Sequence, residues 1–250
     1  MKLLTPGEHK RQEDLITQIY SQELQAGDVF LDIGANIGHH TWRMAESVGE
    51  TGKGFAVEPV PDFRERLNRV LAIKKVNWVE VLPLAVSDIC SNKKFYYRPD
   101  FPGWSSLLEE HHHPEDQLKN HIALDVKVTT LDTLFGETME ALKFIKLDIE
   151  GSELPALRGG RGIIQTFKPV IVLENVVPVA AELNGYSALE FFDFFENLDY
   201  VLYDLFGTLM TRETFETLQK DYSLPIYYLG LPKTHPAALD PKAYYTLSLE

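Results

Sequence analysis

Val29-Phe30-Leu31-Asp32-Ile33-Gly34-Ala35-Asn36-Ile37-Gly38-His39-His40 is a short apolar run broken by glycines just ahead of helix-forming residues, Thr41-Trp42-Arg43-Met44-Ala45. It reads as a buried strand, a tight turn and a helix start, because Gly34 and Gly38 allow a sharp bend and a close approach of backbone to a ligand. Turns of this kind also occur without any ligand, so the residues around the glycines have to say what is bound.

A dinucleotide would rest its pyrophosphate on the amides of the helix start, in a G-x-G-x-x-G pattern. Here Asn36 stands where the middle glycine belongs, and Asp32 sets a carboxylate two residues ahead of Gly34. A fixed negative charge suits a ligand with an ammonium group and a positive sulfur, so S-adenosylmethionine (SAM) is the expected cofactor. An NAD-dependent oxidoreductase would use the same strand-turn-helix, and Asn36 counts against it.

Moving outward, the helix should run to about Val48. Gly49-Glu50-Thr51-Gly52-Lys53-Gly54 imitates a phosphate loop, but it lacks the Ser or Thr after the lysine and leads into a strand, so it reads as a helix-to-strand turn. The strand Phe55-Ala56-Val57 closes on Glu58-Pro59. In an open α/β sheet the carboxyl ends of the strands face the ligand crevice, and an acid there can accept both hydroxyls of a ribose. Upstream, Leu15, Ile16, Ile19, Tyr20 and Leu24 mark a one-sided helix over about Gly7 to Leu24. Downstream, a helix from Pro61 to Leu71 precedes a third strand, Val76 to Ala85. Ser87 and Asp88 follow it, at the level of an adenine ring if Glu58 holds the ribose.

The alternation breaks between Asp88 and about Leu142. Lys94-Phe95-Tyr96-Tyr97 and Val126-Lys127-Val128-Thr129-Thr130 look like short strands around a loop carrying Trp104, Ser105 and Ser106. Residues 89–142 are therefore expected to form a lid or substrate-side insertion. His111, His112 and His113 lie in that loop beside Pro114-Glu115-Asp116 and read as solvated surface, since adjacent histidines cannot all face one ion.

Phe144-Ile145-Lys146-Leu147-Asp148-Ile149-Glu150-Gly151-Ser152-Glu153 places Lys146, Asp148 and Glu150 at alternate positions of a strand and the turn after it. A buried lysine needs a partner, and the carboxylates are the natural ones. Ser152 is expected to cap a helix from Leu154 to about Ile164. Pro169 to Asn175 is a fifth strand, ending near Glu174. Phe191, Phe192, Phe194 and Phe195, in a helix over Leu189 to Leu198, belong to the core. Tyr200–Leu205 and Ile226–Leu231 supply two closing strands.

The 250 residues carry a formal net charge of −13, which opposes a nucleic-acid backbone as partner. The single cysteine, Cys90, forms no intramolecular disulfide or zinc cluster and is expected to be a small buried or half-buried residue. No stretch approaches the ~20 apolar residues of a membrane span, and the N-terminus has no signal-peptide core. One domain spanning 1–250 is expected, with a helical segment over 1–26, in a cytoplasmic protein that binds neither nucleic acid nor membrane. Association into a homo-oligomer stays open.

The words Phe30 to Gly38, Val57-Glu58-Pro59, Leu84-Ala85-Val86-Ser87-Asp88, Thr130-Leu131-Asp132-Thr133-Leu134 and Phe144 to Glu153 resemble those of the FkbM-type SAM-dependent methyltransferases. The resemblance covers roughly Asp28 to Asn175. It implies the Rossmann-like class I methyltransferase fold, an α/β architecture with a mostly parallel seven-stranded sheet and helices on both faces. It also implies O-methylation of a small-molecule or saccharide acceptor. By position, Asp32, Gly34, Asn36 and Gly38 would hold the methionine part of SAM, Glu58 the ribose, and Ser87 with Asp88 the adenine edge. Deprotonating an alcohol needs a general base, and the candidates are Asp148, Glu150 and Glu174, with His39 next. The same three acids could instead hold a divalent ion, hard cations preferring oxygen. A SAM-binding module without catalysis is a further alternative.

Overall fold

The structure, a computed structural model, describes residues 6–109, 120–175, 177–218, 226–241 and 244. Helix α1 (Pro6–Glu23) leads into β1 (Val29–Ile33), α2 (Thr41–Val48), β2 (Lys53–Val57), α3 (Pro61–Ile73) and β3 (Val79–Leu82). The regular alternation stops there, as the sequence anticipates, for β4 (Ala85–Val86), β5 (Ser91–Tyr97), β6 (Ile122–Thr129) and the short α4 (Leu131–Phe135). It resumes with β7 (Phe144–Leu147), α5 (Glu153–Gly159), α6 (Arg161–Phe167), β8 (Val170–Glu174), α7 (Val177–Asn184) and α8 (Ala188–Glu196). The chain closes through β9 (Tyr200–Asp204), β10 (Leu209–Met210), α9 (Arg212–Leu218) and β11 (Tyr227–Pro232).

The main sheet has eight strands in the order β10-β9-β11-β8-β7-β1-β2-β3. Strands β3, β2, β1, β7 and β8 are parallel, and β11 runs antiparallel between β8 and β9. The seven expected strands are all present, and the two-residue β10 extends the edge beside β9. Strand periodicity sorts the core onto two faces. Leu31, Ile33, Ile145 and Leu147 pack with α4 to α9, through residues such as Leu154, Leu157, Phe191, Phe195 and Phe215. Phe30, Phe144, Val172 and Leu229 pack with α1, α2 and α3, through Ile16, Ile19, Tyr20, Met44 and Leu67. The four phenylalanines of α8 are buried on the first of these faces.

Two boundaries differ from the sequence reading, each for a local reason, and so does the burial of Cys90. The third strand ends at Leu82 because Pro83 has no amide to extend the ladder, and Ala85–Val86 instead pairs with β6 in a separate three-stranded sheet, β4-β6-β5. The helix expected over Leu154–Ile164 is two helices, broken at Gly159–Gly160. A Cβ on Gly159 would stand 2.1 Å from the Ser87 carbonyl oxygen, so the chain passes β4 at backbone distance. Asp132 restarts the second helix by accepting the Gly162 and Ile163 amides at 2.8 and 2.9 Å. The Thr130-Leu131-Asp132 word is thus a pair of caps, since the Thr130 hydroxyl accepts the Thr133 amide of α4. Cys90 is exposed rather than buried, with the Thr129 and Thr133 hydroxyls 3.5 and 3.6 Å from its sulfur. His111 to His113 lie outside the described residues, and no described helix is long and apolar enough to cross a membrane.

Helix α1 is tied to the far end of the chain by Glu23. Its carboxylate accepts the Tyr244 hydroxyl at 2.5 Å, meets His235 Nε2 at 3.1 Å and lies 3.3 Å from Lys143 Nζ. Burial alone would raise this carboxyl, but the hydrogen bonds from His235 and Tyr244 and the nearby positive charges outweigh it and hold the group at about 2. A depressed folded-state value contributes stability that is complete above the ordinary 4.5 and is lost as pH falls from there through about 2. Glu23→Gln should therefore cost about 1–3 kcal/mol at neutral pH. The difference from the unsubstituted protein in urea denaturation should shrink at pH 3.

Candidate functional site

Strand register creates the centre of the site. Asp32 pairs with Lys146 across β1 and β7, and both project to the face of α1 and α2, like their neighbours Ala56 and Val172. Both are buried. Lys146 Nζ lies 3.7 Å from Asp32 Oδ1 and 3.2 Å from Asp148 Oδ2. Desolvation works to lower the lysine, and the Asp148 and Asp32 charges reverse it, so the ammonium is held above its ordinary range. The other Asp32 oxygen accepts the Thr41 hydroxyl, at the start of α2, at 2.5 Å. Oδ1 is buried with no hydrogen bond.

The loop after β1 is pinned on both sides. Gly34 has φ +81° and packs so closely against the end of β7 that a Cβ would meet the Asp148 carbonyl oxygen at 1.8 Å. Asn36 adopts φ +50°, and Gly38, at φ +87°, abuts Leu67 of α3. The Gly34 and Ala35 amides donate to the Val57 carbonyl. Glu58, just past β2, accepts the Asn36 amide on Oε2 at 2.9 Å and the Val60 amide on Oε1 at 2.8 Å. Burial pushes its carboxyl up to about 7, although both amides pull the other way. Asn36 and Glu58 are thus hydrogen-bonded to one another, with the Asp32 charge near enough to act on Glu58. Ser87 and Asp88 follow β4: the Ser87 amide donates to the Thr129 carbonyl, its hydroxyl donates to Asp88 Oδ1 at 3.2 Å, and Gly159 covers its carbonyl.

The turn after β7 carries the other acids. Glu150 takes a left-handed φ of +55° ahead of Gly151 at +96°. Glu153 Oε1 holds this turn by accepting the Ile149 and Gly151 amides at 3.0 and 3.1 Å. Glu153 is fully buried, its Oε2 has no hydrogen bond, and desolvation drives its carboxyl up to about 8. Ser152 is the residue ahead of α5 but makes no side-chain cap; Glu153 takes the free amides of the turn. The pattern Ile149-x-Gly151-x-Glu153 was the only trace of this in the sequence. Glu150 and Glu174 are both pushed well above the carboxylate range, first by desolvation and then by negative neighbours, with Asp148 acting on both. Tyr227 of β11 pairs in register with Glu174 and faces its carboxyl.

The insertion reaches the same turn. A Cβ on Gly151 would touch Leu108 at 3.2 Å, and Asn184 of α7 donates to the Gly151 carbonyl at 2.7 Å. Arg98, after β5, braces the segment by donating to the Trp104 and Glu109 carbonyls, and Phe101 stacks on Trp104 with centroids 4.5 Å apart.

His39 is exposed and His40 buried, at the start of α2. His40 Nε2 meets Glu13 Oε2 of α1 at 2.8 Å, and Arg43 lies 3.2 Å from His39 Nδ1. Desolvation, then the charges of His40 and Arg43, lower His39. Glu13, unremarked in the sequence because its partner is a whole helix and strand away, is brought into the site by the phase of α1.

A glycine turn after the first strand, an acid after the second and the strand order above define a Rossmann-like α/β protein of the class I methyltransferase type. The family model described as the methyltransferase FkbM domain matches residues 32–202, and the chain belongs to that family. The methyltransferase sdnD of Sordaria araneosa is 25% identical over 160 residues, covering 54% of this chain and 61% of its own length. The crystal structure of the methyltransferase FkbM from Methylobacillus flagellatus covers 84% of this chain and 47% of its own, with a TM-score of 0.53 and 18% identity. A protein-L-isoaspartate O-methyltransferase of Archaeoglobus fulgidus is 35% identical over 60 residues, 24% of this chain and 27% of its own. The chain thus spans less than two thirds of each of these relatives.

Removing one partner of a buried ion pair leaves the other charge uncompensated. Lys146→Met should destabilise the fold by about 3–5 kcal/mol in urea denaturation. Asp148→Asn, at a side chain 30% exposed, should cost distinctly less.

Proposed function

We propose that the chain is a SAM-dependent O-methyltransferase acting on a hydroxyl of a small molecule or saccharide. The observation that carries the cofactor assignment is Asp32 Oδ1, a buried carboxylate oxygen without a hydrogen bond beside a loop where a Cβ on Gly34 has no room. That oxygen suits the ammonium of the methionine part, and the loop of Gly34, Asn36 and Gly38 would line it. Glu58 would take the ribose hydroxyls on the lone pairs left free by the two amides it accepts. Ser87 and Asp88 would meet the adenine edge. Bound SAM supplies an electrophilic methyl group on a positive sulfur.

The chain's own contribution is to orient the acceptor and remove its proton. We assign the proton to Asp148, which is partly exposed and oriented by Lys146. Glu150 and Glu174, at the ends of neighbouring strands, would offer carboxyl groups to hydrogen-bond a polyhydroxylated acceptor. His39 is engaged by Arg43 and is the less suited base. Residues 89–142, through Leu108 and the Phe101–Trp104 stack, would act as the acceptor-side lid.

Labelled SAM incubated with a panel of hydroxylated acceptors tests the activity. Asp148→Asn should abolish turnover while calorimetry still detects S-adenosylhomocysteine; unchanged turnover removes Asp148 from the chemistry. Asp32→Ala and Glu58→Ala should each lose cofactor binding. Because Glu58 sits at about 7 and its ionised form accepts the hydroxyls, affinity should fall below that pH by up to about tenfold per unit. Glu58→Gln should bind weakly and lack this dependence.

A further inference from the structure

We propose that Glu13, His39 and His40 form a binding site for a divalent transition ion of borderline character, Zn2+ or Co2+ being representative. One carboxylate oxygen and two imidazole nitrogens lie within 4.8 Å of one another. Donors around a four-coordinate zinc, with metal–ligand bonds of about 2.0–2.2 Å, stand roughly 3.4 Å apart, so side-chain rotation completes the set. The acids Asp148, Glu150 and Glu174 do not bring three donor atoms this close among the described residues.

The frame is rigid where it needs to be. Glu13 projects from α1 beside Leu15, Ile16 and Ile19, which are buried, and His40 is the residue that opens α2. His40 Nε2 already faces Glu13 Oε2 at 2.8 Å, so an ion would replace the hydrogen between them. The other His40 nitrogen lies 3.5 Å from the Tyr20 hydroxyl, an outer contact of the kind that fixes the orientation of a ligating imidazole. The His39 ring stands edge-on to His40, with centroids 5.1 Å apart, and is exposed, leaving one side of the site for water. Two nitrogens and one oxygen favour Zn2+ or Co2+ over Mg2+ or Ca2+. Arg43 contacts His39 Nδ1 at 3.2 Å and therefore competes with the ion. An occupied site would fasten α1 to the loop that follows Gly38. The proposal is independent of the methyl-transfer reading.

The test uses untagged full-length protein stripped with a chelator and dialysed against Zn2+, with bound metal measured per chain and Co2+ absorption recorded in parallel. About one equivalent should be retained, with a rise in Tm. It should be lost in His39→Ala, an exposed position that leaves the fold intact, and in Glu13→Gln. Arg43→Ala should bind several-fold tighter. Substituting His111, His112 and His113 together by alanine, or Asp148→Asn alone, should leave the equivalent in place. No retained metal, an unchanged stoichiometry in His39→Ala, or loss in the triple variant would overturn the proposal.

Discussion

The buried ammonium of Lys146 is the constraint on which the rest of this site depends. It sits on a central strand, between Asp32 of the neighbouring strand and Asp148 at the end of its own. A lysine in that position is tolerated only with carboxylates on both sides. The register that pairs Asp32 with Lys146 also sets the ends of β1 and β7 side by side, and the loop after β1 then has to pass the Asp148 carbonyl where only glycine fits. Charge pairing and backbone clearance select the same arrangement.

Four acids near the ends of β7 and β8, Asp148, Glu150, Glu153 and Glu174, have different surroundings. Asp148 has an ammonium beside it and solvent on one side. Glu150 and Glu174 are half-buried, and the Glu174 charge acts on Glu150. Glu153 has two backbone amides and serves as a brace for the turn on which Glu150 is displayed. The strained φ of Glu150 persists because that brace, the Asn184 bond to Gly151 and the contact with Leu108 over-determine it.

Much of this was legible in the sequence because it follows from short-range periodicity. Alternation along β1 and β7 assigns Asp32 and Lys146 to one face, and the glycines mark the turn. What escaped depends on long-range packing. Glu13 meets His40 only through the rotational phase of α1, and nothing local distinguishes it from the other acids of that helix. That Ser87 follows a strand of a second sheet traces to Pro83, whose missing amide ends β3. The division at Gly159–Gly160 arises because α5 crosses β4 there. Glu153 was visible as a residue but not as a clamp, since its role exists only once Glu150 is left-handed.

The link from Glu23 to His235 and Tyr244 spans 212 and 221 positions of the chain. Among the described residues these are long sequence separations, and closing such distances is what slows folding. The segment after β11 must therefore be in place before the last acid of α1 has all of these partners. Until then Glu23 has only Lys143 of these partners, and the helix bearing Glu13 is held by its apolar face and the Glu13–His40 contact. Seating of α1 against the loop that follows Gly38 is thereby coupled to a histidine 212 positions downstream of Glu23.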